Sequence, residues 1–371
     1  MLGGGTCKGC GMPFLPGTSY TQAMGGHWHQ SCLLCQGCRQ PLTSAGPSGT
    51  QQQSVVGADG KPYHAACHKA KFHPKCDVCG DFLPQLANGS VQYKEVPFWK
   101  QRYCSHHETG PSTIGRVPQC NSCSRLRPFG SPEWVPIGDD RELCLECVSS
   151  VVVDTKDAQP LYEDVLAFYR SMGLDHPQRA PMMLVDSPTL TQYSSQEGKR
   201  PDSGPMFHVR GLCLATVYRS IPTVVRTTLL AGLSVSRVAT PMHDRATTKC
   251  SVSAILVMYG LPRLLTGGIL AHELMHAWLR MRHVSNLKPQ VEEGLCQLMA
   301  MLWLDHQHAR LGGDAMQERL LSHFAYQIRE DVSTVYGDGF RTAYDAFQRA
   351  GGGMRGLSAV LNRVLKSGEL M

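Results

Sequence analysis

Three features are missing from this sequence, and each excludes a class. No uninterrupted apolar run approaches the ~18 residues of a membrane-spanning helix. The start, Met1-Leu2-Gly3-Gly4-Gly5-Thr6-Cys7, lacks the apolar stretch of a secretory leader. Strong charge of one sign is also missing. The net charge is +6 over 371 residues, with acidic residues scattered among the basic ones, so nucleic acid is not the default partner. The first two absences predict a chain of the reducing cytoplasm, with the nucleus as a second compartment. A further deficit is local: residues 1–150 show little helical periodicity and many Gly, Pro and turn dipeptides.

Cysteine fills that stretch. Of sixteen cysteines, thirteen lie before residue 148, mostly in pairs with two intervening residues. In a reducing compartment such pairs are metal ligands rather than disulfides. They sort into four sets: Cys7, Cys10, His29 and Cys32; Cys35, Cys38, His64 and Cys67; Cys76, Cys79, Cys104 and His107; Cys120, Cys123, Cys144 and Cys147. A tight turn aims both side chains of a pair at one ion, and the 18 to 25 residues between pairs fold back as a loop or hairpin. Four soft or borderline donors suit a closed, tetrahedral structural zinc site. The metal then replaces the core that such short modules cannot build. His106 competes with His107, but Cys104-x-x-His107 keeps the two-residue gap. Cys213, Cys250 and Cys296 stand alone and are expected as buried packing residues.

Only Leu33-Leu34 separates the first two sets, and Trp28 precedes His29. On that short join the segment resembles the LIM family, in which two zinc fingers pack on each other. The resemblance implies protein binding. Sets three and four keep the zinc spacing without the two-residue join and are LIM-like. No helix here has the spacing of a groove-reading finger, which disfavours a nucleic-acid binder.

After residue 150 the composition changes. Leu161, Val165, Phe168, Tyr169 and Met172 form a helical stripe following Pro160. Residues 186–205, rich in Pro, Ser and Gln, predict a loop or linker. Strand-like runs follow at 207–217 and 252–259, and the latter is a candidate edge for holding an extended substrate. Helices are predicted at 264–281, at 291–303 and around Leu320, Leu321, Phe324 and Ile328. Two shorter helices flank Gly351-Gly352-Gly353.

The helix at 264–281 carries His272-Glu273-Leu274-Met275-His276, a His-Glu-x-x-His pattern. Residues four apart share a helix face, so both imidazoles can reach one zinc; Glu273, rotated about 100°, can reach its water. A catalytic zinc needs a third protein ligand and an open position. Both Glu292 and Glu293, at the start of the next helix, are candidates, and helical phase places Glu292 nearer the apolar stripe. The arrangement resembles the gluzincin metallopeptidases, whose downstream Glu is often followed by Gly. That resemblance implies Glu293 as the ligand.

Three segments together resemble one family: 259–280, 291–297 and Tyr336-Gly337-Asp338-Gly339-Phe340-Arg341. It is the family of plant LIM-domain peptidases that limit organ growth and are activated by ubiquitin attachment. The resemblance implies a multidomain chain: a LIM domain at 1–69, a LIM-like double zinc module at 70–150, a linker with one amphipathic helix at 151–204, and an α+β, mainly helical metallopeptidase domain at 205–371. It implies one catalytic zinc on His272, His276 and Glu293, Glu273 as general base, and up to four structural zinc ions. Expected partners are protein substrates and LIM-binding proteins, ubiquitin-pathway enzymes among them. The ubiquitin-interacting helices that often precede the LIM domain have no counterpart in the six residues before Cys7. Oxyanion-donor candidates are His243 and Tyr336, the latter reading equally as a turn tyrosine. The alternative function is a zinc-organised interaction scaffold with an inactive peptidase domain.

Overall fold

Four short hairpins, each closing over a cysteine cluster, shape the first part of the chain. They are β1 (Tyr20–Ala23) with β2 (Gly26–His29), β3 (Ser54–Val56) with β4 (Pro62–His64), β5 (Lys94–Val96) with β6 (Gln101–Tyr103), and β7 (Val135–Pro136) with β8 (Glu142–Leu143). Helix α1 (Ala65–Phe72) follows the second hairpin and α2 (Leu145–Val148) the fourth. The computed structural model describes residues 5–42, 54–107, 119–196, 210–220, 223–230, 234–241 and 247–370.

Apolar support in these modules is small. Leu33, Cys35, Leu42 and Tyr63 form one cluster, with Trp28, Cys67 and Phe72 packed on it. Cys76, Leu83 and Cys104 form another. Cores of this size need a metal to hold them. The chain divides into two compact units, Met1–Val117 with Pro128–Gly130, and Pro118–Arg127 with Ser131–Met371. The third and fourth cysteine clusters, expected within one double module at 70–150, therefore fall in different units.

In the second unit, β9 (Val151–Val152) leads into α3 (Thr155–Ser171). Asp154 caps the helix, accepting from the Asp157 amide at 2.9 Å. Leu161, Tyr162, Val165, Phe168 and Tyr169 are buried along it. The segment expected as a linker thus contributes to the core. β10 (Met182–Val185) and α4 (Ser187–Gln196) follow. Asp186 accepts the Thr189 amide at 2.9 Å and Pro188 sits in the first turn of α4, so the described part of the expected loop is a capped helix.

The main sheet has the order β10-β14-β11, with β11 (Gly211–Ser220) antiparallel and β10 parallel to β14 (Thr247–Met258). Between them in sequence lies a separate hairpin, β12 (Thr223–Leu230) with β13 (Ser234–Pro241). Strand β14 is paired on both sides, which corrects the expectation that 252–259 is a sheet edge. β15 (Leu261–Pro262) pairs with β9.

Five helices follow: α5 (Arg263–Met281), α6 (Pro289–His308), α7 (Ala315–Arg329), α8 (Gly339–Arg349) and α9 (Gly353–Ser367). α5 and α6 are apolar almost all round and mostly buried, as central helices are. α3 is tied to the middle of α5: Tyr169 donates its hydroxyl to the Ala271 carbonyl at 2.5 Å, and His176 Nε2 lies 3.0 Å from the Leu274 carbonyl. Gly294 of α6 lies against Gly339 of α8 so closely that a Cβ on Gly339 would sit 2.5 Å from the Gln290 carbonyl. Among the described residues no helix is long and apolar enough to cross a membrane.

Candidate metal centre

Helix α5 presents His272 and His276 one turn apart, with ring centroids separated by 5.1 Å. Helix α6 inserts Glu293 between them. Its Oε2 is 3.1 Å from His272 Nε2 and 3.4 Å from His276 Nε2. Donors bound tetrahedrally at zinc's N and O distances stand about 3.3 Å apart, so spacing and donor chemistry both fit that ion. Cys296, one turn further along α6, adds a fourth donor; the four donor atoms lie within 4.8 Å of one another.

The other glutamate faces the same imidazole from behind. Glu292 Oε1 lies 2.7 Å from His276 Nδ1 and accepts from Arg280 Nη2 at 2.6 Å. Burial alone would raise both carboxyls. His276 and His272 instead hold Glu293 well below the usual carboxylate range, and His276 with Arg280 lowers Glu292. Burial would lower His276, but Cys296, Glu293 and Glu292 raise it well above the usual imidazole value. Burial pushes the Cys296 thiol up to about 12.

Glu273 is 6% exposed, and its Oε2 has no hydrogen-bond partner. A buried carboxylate oxygen left without a protein partner is costly, and a reacting group is one of the few explanations for it. The first residue of β11 lies flat against it: a Cβ on Gly211 would come within 2.8 Å of Glu273 Oε1 and 2.5 Å of Ile269 Cγ2.

Tyr336 belongs to a single π-helical turn, Thr334–Asp338, whose first amides are capped by the Ser333 hydroxyl. Such turns recur at functional sites. Burial raises its phenol well above the ordinary value, and it lies within electrostatic reach of Glu293, His276 and Glu273. The π turn packs against α6, the helix that carries Glu293, and this tyrosine is not in a remote turn. His243, the other candidate, lies outside the described residues.

The four cysteine-rich sets each bring their donors together within 4.8 Å, with His107 rather than His106 in the third. Backbone amides point at the sulfurs: Gly9 and His29 at Cys7 (both 3.3 Å), Gly37 and His64 at Cys35 (3.3 and 3.4 Å), and Cys144 at Cys120 (3.4 Å). These N–H···S contacts stabilise thiolates, and the clusters bind structural zinc. Cys213 and Cys250, expected as buried, are only partly buried. Cys296 is buried but joins the histidine cluster. Its spacing of three from Glu293 was the available signal, since residues three apart share a helix face.

Residues 171–316 and 310–366 match the family model described as DA1-like (Protein DA1), and residues 7–50 match the LIM domain. The chain is 36% identical over 372 residues to LIM domain-containing protein HDR3 of Oryza sativa subsp. japonica, covering 93% of this chain and 70% of that protein. It is 36% identical over 364 residues to Protein DA1 of Arabidopsis thaliana, covering 93% and 65%. The N-terminal region is 26% identical over 123 residues to Four and a half LIM domains protein 2 of Mus musculus, covering 32% and 40%. The chain thus spans about two thirds of the length of these plant relatives.

Proposed function

The chain belongs to the DA1 family, and from that premise we propose that it is a zinc-dependent endopeptidase acting on intracellular regulatory proteins. The observation that carries the reading is the pairing of two carboxylates with different surroundings. Glu293 lies between both imidazoles at 3.1 and 3.4 Å, while Glu273 Oε2 is buried beside them with no partner. A scaffold needs the first arrangement at most. A reaction that moves a proton has a use for the second.

His272, His276 and Glu293 would hold the ion, and Glu292 with Arg280 fixes the orientation of the His276 ring. Zinc held there would supply Lewis acidity toward the scissile carbonyl and the attacking water. Glu273 takes the water's proton on Oε2 and delivers it to the leaving amine. Tyr336, protonated at neutral pH, donates to the developing oxyanion. An extended substrate lies along β11, whose start at Gly211 borders Glu273. LIM domains mediate protein–protein interaction, and the two N-terminal clusters recruit substrates, ubiquitin-pathway enzymes and growth regulators among them.

One observation favours the alternative, a zinc-organised scaffold: Cys296 offers a fourth donor that would close the coordination sphere. Glu273→Gln separates the two readings. The variant should keep its zinc and its melting temperature, yet lose about 10²–10⁴-fold in cleavage of a substrate that the wild type cuts. Full activity in the variant would falsify the mechanism. No cleavage by wild type of any bound partner, even after ubiquitin attachment, would leave the scaffold.

A further inference from the structure

All four sulfurs of the Cys120, Cys123, Cys144 and Cys147 cluster are buried, and the cluster lies in the same compact unit as the histidine pair. A zinc ion with four thiolates carries a net charge of about −2. Two arginines face it. Arg125 Nη2 is 3.1 Å from Cys144 Sγ and also pairs with the half-exposed Glu146. Arg210 is 9% exposed. It donates through Nη2 to the carbonyl of Asn121, inside the turn between Cys120 and Cys123, while its Nη1 has no hydrogen-bond partner. A charged guanidinium buried with its Nη1 donors unpaired is strongly destabilising unless charge of opposite sign lies close by. Burial and the buried Arg141 weigh against the charge on Arg210, and the thiolates of Cys120, Cys147 and Cys123 weigh for it.

Arg210 is also the residue before Gly211. Its carbonyl accepts the Met258 amide at 2.8 Å, registering the start of β11 on β14. The next Cα presses on Ile269 and Glu273. The cluster's surroundings are further bonded to the entry of α5: Arg141 Nη1 donates to the Tyr259 carbonyl at 3.1 Å, the Tyr259 hydroxyl to Ile137 at 2.9 Å, and the Arg263 amide to Ser150 at 2.7 Å.

We propose that this four-cysteine centre is an electrostatic anchor of the peptidase-type core rather than a recruitment finger, neutralised by Arg125 and Arg210, and that Arg210 positions Glu273 through Gly211. Arg210 is thus a positioning residue, and its catalytic consequence rests on reading Glu273 as the base. With the ion in place, the buried guanidinium is compensated and the start of β11 is held. Without it, Arg125 keeps only Glu146 as a counter-charge and Arg210 loses its own, and the strand beside Glu273 loses its fixed end.

The test uses the full chain and a chelator-release assay in which Cys123→Ser identifies the phase belonging to this ion. Arg210→Met should release that ion about 10–100-fold faster and leave the other phases unchanged. Its kcat should fall about tenfold or more with KM within about twofold, because the base is displaced and the binding surface is not. Arg210→Lys, which restores charge, should bring release back to within about threefold of wild type. Arg125→Met touches the cluster from the other side and should accelerate the same phase, which keeps the test decisive if Arg210→Met does not fold. Gly211→Ala should lower kcat without changing ion release. Wild-type release in both methionine variants would overturn the anchor. Faster release with kcat unchanged would overturn the link to Glu273. If the wild type cleaves nothing, the peptidase reading fails, while the release phases still decide the anchor.

Discussion

Glu292 and Glu293 are neighbours in sequence, and they grip opposite nitrogens of one ring: Oε1 of the first is 2.7 Å from His276 Nδ1, and Oε2 of the second is 3.4 Å from His276 Nε2. Glu293 lies between the two imidazoles, and Glu292 lies behind the His276 ring beside Arg280. Glu293→Gln should therefore abolish tight zinc binding at this site. Glu292→Gln should leave a weaker site, with affinity lowered about 10–100-fold. Arg280→Met should fall between wild type and Glu292→Gln. Competition with a zinc chelator, monitored by zinc content, ranks the three. An equal loss in both glutamine variants would show that the two carboxylates share the metal.

Tyr336 should matter to rate and not to metal. Tyr336→Phe keeps the ring and removes the donor, so kcat should drop about 10²–10³-fold. Zinc content and KM should stay close to wild type. A variant with full kcat would return this tyrosine to a purely structural role in its π turn.

Cys296 distinguishes an open centre from a closed one. Its buried sulfur lies within 4.8 Å of the His272, His276 and Glu293 donors, so it either completes a four-ligand site or stands beside a three-ligand one. Cys296→Ser should retain the ion and the activity within about threefold. Substitution by cobalt gives a second readout. Similar near-ultraviolet absorption from this site in wild type and variant means no sulfur on the metal, whereas a sulfur-to-metal band lost in the variant would mark a four-ligand, structural site.

Acid should weaken the second unit through His323. Burial first, then Arg210 and Arg125, lowers this imidazole to about 4. A depressed folded value means that its stabilising contribution is complete above the unfolded value of ~6.5 and is lost as pH falls toward about 4. Between pH 7 and 5 the wild type should lose about 2 kcal/mol more than His323→Gln. Denaturant melts at the two pH values, with zinc in excess, measure the difference. Parallel losses in both proteins would assign the acid sensitivity elsewhere.

Local patterns were the legible part. Ligand pairs two apart, the His-Glu-x-x-His turn and the stripes of α3, α5, α6 and α7 all depend on residues within a turn or two of each other, where spacing alone decides geometry. The capped start of α4 was equally local, in Asp186 and Pro188, but its polar composition masked it. What escaped was non-local. The pairing of β14 on both flanks depends on β10 and β11, whose paired residues lie 27 or more positions away in sequence. Nothing around Tyr336 announces that α8 packs beside the metal position. The division of labour between Glu292 and Glu293 needed the position of Arg280, on a different helix. Helical phase judged the two by their distance from an apolar stripe, yet both are buried because each has a polar partner waiting, an imidazole for Glu293 and a guanidinium for Glu292.

Gly294 follows Glu293 directly, and it meets Gly339 backbone to backbone. At that contact neither residue has a side chain to act as a shim. The depth to which Glu293 reaches toward the imidazoles is therefore stopped by main-chain atoms, which do not compress or change rotamer. Metal choice becomes a property of the helix crossing as much as of the donors. An ion that demands longer bonds and more oxygens, as calcium does, would have to prise two packed helices apart before Glu293 could step back to make room.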